Sequence, residues 1–120
     1  MKAITCIEDL RKMHQRRVPR MFYDYVDSGS WTESTYRANA ADLQRMTFRQ
    51  RVAIDVSTRN TAMPMLGQNL PMPVALAPTG LTGMQYADGE ILAAKAAADY
   101  GVPFTLSTMS ICSIEDVAEH

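Results

Sequence analysis

The chain has 120 residues and a formal net charge of −1, enough for one domain with a modest core. That near-neutral balance leaves no electrostatic footprint for nucleic acid, and no apolar run approaches the ~20 residues of a membrane span. The two cysteines, Cys6 and Cys112, are far apart and lack metal-ligand spacing. They read as small buried side chains of a reducing compartment. Glu8, Asp9, Arg11 and Lys12 interrupt any signal-peptide core, so a cytoplasmic location is expected.

Thr5-Cys6-Ile7-Glu8 fits a capping box, and the helix it opens carries Ile7, Leu10 and Met13 on one face as far as about Arg17. Pro19 breaks that pattern or starts the next element. The aromatic-rich segment Met21–Val26 is expected to end at a Ser28-Gly29 cap. A second capping box, Ser30-Trp31-Thr32-Glu33, predicts a sparsely apolar surface helix, with Trp31 as its packing anchor. The arginines Arg16, Arg17 and Arg20 read as a solvated face, with contact to an acidic partner or a membrane surface as the minor alternative. Alternation of Val52, Ile54 and Val56 predicts a strand or extended segment over 49–57. Residues 58–63 read as loop, and Met65–Leu70 as a small hairpin turn.

The next stretch, Val74-Ala75-Leu76-Ala77, has the length and bounding prolines of a fully buried strand, and Pro78-Thr79-Gly80 ends it. Asp88 is the predicted N-cap of an alanine-rich helix running to Tyr100, and Gly101 supplies its left-handed stop. Residues 102–106 return as a second buried strand, and Ser113–Asp116 caps a further helix. This β-α-β-α order calls for parallel strands. Two parallel strands with one complete crossover helix leave sheet faces uncovered, so the chain reads as part of a longer protein. The expected class is α/β: N-terminal helices followed by the first two βα units of a (β/α)8 barrel that is incomplete in this chain. The expected division is a helical segment about 1–48, an extended and hairpin segment about 49–72, and the start of the barrel about 73–120.

In such a fold the loops after Ala77 and after Leu106 share the C-terminal rim. Pro78-Thr79-Gly80 offers backbone groups and a hydroxyl; Ser107-Thr108 offers hydroxyls one strand over. A neutral, hydrogen-bonding rim of this kind suits a planar heterocycle or a sugar-like chain better than a metal. No phosphate-binding glycine loop and no serine-hydrolase elbow is present. Taken alone, Pro78–Gly80 can be a plain loop, Ser107 a strand-end cap and Tyr25 a packed aromatic.

These residues stand among a longer series: Tyr23-Asp24-Tyr25, Ser28-Gly29, Glu33, Thr35, Arg37, Asn39, Phe48–Arg51, Leu66-Gly67, Pro73-Val74, Ala77–Gly80, Gly89-Glu90, Leu106–Thr108 and Ser113–Ala118. In that order and spacing the sequence resembles the FMN-dependent α-hydroxy-acid dehydrogenases and oxidases. The wording LSTMSIC is similar to the bacterial lactate-dehydrogenase-like branch. The resemblance runs over essentially the whole chain but only the first third of the family's barrel.

It implies an enzyme that oxidises an L-2-hydroxy acid to the 2-oxo acid on FMN. Pro78, Thr79, Gly80 and Ser107 would contact FMN, while Tyr25 would bind the substrate carboxylate. Met109, standing where several oxidases carry a bulky aromatic, would touch substrate and alter the pocket. The family's catalytic base, carboxylate-binding arginines and flavin-side lysine lie further along the barrel. His14 and His120 do not match the base, so no catalytic residue is expected here. The resemblance also implies a homo-oligomeric, tetrameric parent, cytoplasmic or peripheral on the inner face of the membrane. The rival readings are a flavin barrel with isomerase-type chemistry and a non-catalytic module.

Overall fold

Helix α1, Ile7–Arg17, begins where the local charge pattern favours it, with acidic Glu8 and Asp9 in the first turn and His14, Arg16 and Arg17 in the last. The structure is a computed structural model that describes residues 3–120. Residues 1 and 2 of the expected helical segment lie outside the described residues. The chain forms two compact units, Met1–Asp55 and Val56–His120.

In the first unit, the expected N-terminal box does not form: Cys6, not Thr5, is the N-cap of α1, with no side-chain cap. Asp9, not Glu8, reaches back, accepting from the Thr5 N–H at 3.0 Å and the Thr5 hydroxyl at 2.9 Å. Helix α2, Arg20–Asp27, starts directly after Pro19. It ends on an extended Ser28 rather than a left-handed glycine, and both the Ser28 N–H and hydroxyl donate to the Asp24 carbonyl. Helix α3, Ser34–Arg45, has no side-chain cap of the expected kind. Glu33 sits in the left-handed region before it and accepts the Gly29 N–H at 3.1 Å.

Trp31 is 96% exposed, so it anchors no packing. Cys6 is likewise exposed and Cys112 half-buried, against the expectation of buried thiols. What holds α1 to α2 is polar. The Arg11 guanidinium donates to Asp27 through Nε at 2.5 Å and Nη2 at 2.8 Å, a two-pronged pair. Beside it the buried Tyr23 ring meets His14, with centroids 5.5 Å apart. Residues 49–57 form no strand, and Val52, Ile54 and Val56 all face solvent. Without a paired neighbour, alternation alone cannot make a ladder.

The second unit opens with a hairpin, β1 (Met63–Met65) paired antiparallel to β2 (Gln68–Leu70). Leu66 and Gly67 turn it with φ of 53° and 77°, the double positive φ of the tightest hairpin loops. The two predicted barrel strands shrink to one parallel bridge, Leu76 with Phe104, made by Leu76 N–H to the Pro103 carbonyl (2.8 Å) and Thr105 N–H to the Leu76 carbonyl (3.2 Å). Val74, Ala75 and Ala77 are exposed, not buried. Parallel strands gain their burial from neighbours on both sides, and among the described residues these two have only each other.

A short helix α4, Thr82–Gln85, follows the first strand, and α5, Gly89–Tyr100, forms the crossover. Asp88 does precede α5, but in the left-handed region and without a side-chain cap. Gly101 stops the helix as expected, at φ 66°. The core of this unit is small: Leu70 from the hairpin, and Ile91 and Ala97 from α5. Helix α6, Ile114–Glu119, carries the full Ser113–Asp116 capping box predicted for it.

Candidate functional site

The parallel bridge runs both strands in one direction, so the segments after Ala77 and after Leu106 leave from the same end. The structure brings them into contact. Leu81 N–H donates to the Met109 carbonyl at 2.9 Å. A Cβ on Gly80 would stand 3.0 Å from the Met109 Cβ and 3.6 Å from the Ser107 Oγ, so even a methyl there would need Met109 to give way slightly. The Ser107 hydroxyl accepts the Met109 N–H at 3.1 Å, and the Ser107 carbonyl accepts Ser110 N–H, folding 107–110 into a tight turn. Across from it, the Thr79 hydroxyl donates weakly to the Ala77 carbonyl at 3.4 Å, and the Thr82 hydroxyl to the Thr79 carbonyl at 3.0 Å.

Thr79, Gly80, Ser107 and Met109 thus form one neighbourhood, with Pro78 exposed at its edge. Met109 is 61% exposed, able to meet a ligand rather than packed away. Tyr25 belongs to the first unit, where it stands 66% exposed on α2. The rim carries hydroxyls and main-chain groups and no formal charge of its own. Among the described residues no group of His, Cys, Asp and Glu is placed to hold a metal ion. Such a donor set fits the uncharged polar edge and hydroxylated chain of a flavin, and Gly80 is what lets the two loops that carry it approach closely. The two histidines are occupied elsewhere, His14 against Tyr23 and His120 with Nδ1 2.9 Å from the Asp116 carbonyl.

One residue that organises the rim does not stand out in the sequence as a site residue. Glu90, in the first turn of α5, is 1% exposed. Its Oε1 accepts Gly83 N–H at 3.0 Å, just past the first loop, and Ile111 N–H at 3.1 Å, just past the second. Its Oε2 is buried without a hydrogen-bond partner of good geometry, and the weakly donating Cys112 thiol interacts with the same carboxylate. Burial opposes the charge, yet the Ile111, Gly83 and Glu90 N–H groups outweigh it and hold the carboxyl below its usual range. The Cys112 thiol is pushed up, first by burial and then by that neighbour. In the sequence, an acid at the start of a helix is fully explained by the helix dipole. Only its position in an otherwise apolar, alanine-rich segment hints at burial.

A family model described as FMN-dependent dehydrogenase matches residues 14–120. Among curated relatives, the L-lactate dehydrogenase of Alcaligenes faecalis is 45% identical over 115 residues, and that of Pectobacterium atrosepticum 47%. Each alignment takes in 96% of this chain, which spans about 30% of the length of these relatives. Among solved structures, the membrane-associated (S)-mandelate dehydrogenase from Pseudomonas putida, as a soluble mutant, superposes with a TM-score of 0.88 at 38% identity, over 98% of this chain and 34% of that one. A monotopic membrane (S)-mandelate dehydrogenase gives 0.89 at 38%, over 99% and 32%.

Proposed function

Since this chain belongs to the FMN-dependent dehydrogenase family, we propose that it supplies the first two βα units of an FMN-containing (β/α)8 enzyme that oxidises a lactate-like L-2-hydroxy acid to the 2-oxo acid. The observation that carries the reading is the contact of loop 78–81 with loop 107–109, an uncharged, hydroxyl-bearing rim in a chain of that family. When bound, FMN supplies the two-electron acceptor. The chain's own share is to hold and orient. Pro78, Thr79, Gly80 and Ser107 line the flavin, Met109 borders the substrate, and the Tyr25 hydroxyl donates to the substrate carboxylate. No residue of these 120 is assigned the abstraction of a proton.

The location that goes with this reading is the cytoplasm or, peripherally, the inner face of the membrane. Its support is the exposed cluster Arg16, Arg17 and Arg20. Among the described residues no helix is long and apolar enough to cross a membrane. The test is anaerobic mixing of the purified full-length protein with L-lactate. Bleaching of the flavin's visible absorbance, with pyruvate formed in equal amount, is the expected result. A protein that binds L-lactate and leaves its flavin oxidised overturns the redox reading.

A further inference from the structure

A carboxylate buried to 1% exposure, whose two hydrogen bonds from other residues' main chain both go to one oxygen, is an expensive way to start a helix. The donors Glu90 selects are one from each rim loop: Gly83 N–H beyond residues 78–80, and Ile111 N–H beyond residues 107–109. The surrounding packing leaves no slack. A Cβ on Gly83 would stand 2.8 Å from the Ile111 Cβ and 3.0 Å from the Glu90 Oε2. A Cβ on Gly89 would stand 2.8 Å from the Thr82 Cγ2, so α5 and the start of α4 touch through backbone as well. The Leu81 N–H to Met109 carbonyl bond runs alongside as a second tie.

We infer that Glu90 is a positioning residue, whose carboxylate clamps loop 78–83 to loop 107–111 and so sets the separation of the two walls that receive FMN. This rests on the reading of that rim as the flavin site. Glu90 touches neither flavin nor substrate; it acts through Gly83 and Ile111. An acceptor at this position matters more than the charge, because both bonds go to one oxygen that an amide carbonyl can replace.

The test uses the full-length apoprotein and three variants, read by FMN titration (quenching of flavin fluorescence) and by thermal melting without FMN. Glu90→Gln keeps an acceptor for both N–H groups and holds the FMN Kd within about threefold of the wild type. Glu90→Leu fills the space but strands both donors, and raises the Kd by about tenfold or more. Gly83→Ala keeps the Glu90 side chain but drives a methyl against Ile111 and the Glu90 carboxylate, and weakens FMN in the same direction. Melting separates positioning from simple stability: where Glu90→Leu does not fold, Gly83→Ala against Glu90→Gln decides. Wild-type affinity in a folded Glu90→Leu or Gly83→Ala protein overturns the proposal. So does a Glu90→Gln protein as impaired as Glu90→Leu, which would make charge the operative property. A wild-type protein that takes up no FMN at all overturns the reading of the rim, and the inference with it.

Discussion

Asp27 in the first unit and Glu90 in the second are both held below their ordinary values of 3.8 and 4.5. For Asp27 the main cause is the Arg11 guanidinium; for Glu90, main-chain donors overcome burial. A carboxyl depressed in the folded state stabilises it above the unfolded pKa, and that stabilisation disappears as pH falls through the folded value. Acid should therefore loosen both units below about pH 4. Asp27→Asn in the full-length protein should lower the melting temperature at neutral pH by a few degrees and make the acid limb shallower. Melts across the pH range check both effects. The pair is partly exposed, so high salt should shrink the difference. At the rim, Ser107→Ala removes the acceptor that folds the 107–110 turn and should weaken FMN by roughly fivefold, measurable by the same titration.

Among the elements, those set by local chemistry were legible in the sequence. The Ser113–Asp116 box, the Gly101 stop and the Leu66-Gly67 turn each rest on residues within a few positions of one another. Elements that depend on distant partners were not. Val52, Ile54 and Val56 alternate like a strand yet join no sheet among the described residues, and the Val74–Ala77 run stays exposed but for its one bridge. The contact of Gly80 with Met109 was legible only as two loops on one rim; the Glu90 clamp was hidden because the helix dipole already accounts for its side chain. Leu66 offers a test of the local rules. It is exposed, and holds a positive φ that asparagine tolerates better. Leu66→Asn should stabilise the hairpin by about 0.5 kcal/mol, whereas Gly101→Ala should cost about 1 kcal/mol at φ 66°. Denaturant midpoints of the two variants give both signs.

For the molecule as a whole, the buried apolar side chains among the described residues are Tyr23, Leu70, Ile91 and Ala97, while Phe48, Val52, Ile111 and Met109 face outward. So small a core offsets little of the ordering entropy. Made as these 120 residues alone, the chain should melt without a sharp transition and bind a hydrophobic dye; the full-length protein should do neither. Within the second unit the ties nonetheless form a closed circuit. The Leu76–Phe104 bridge joins the strands below the rim, and Glu90 joins them above it through the helix that connects them. Neither tie can open far while the other stays shut. The amide protons of Gly83, Ile111, Leu76 and Thr105 should then exchange with one shared opening free energy, as a single unit, rather than fraying one by one.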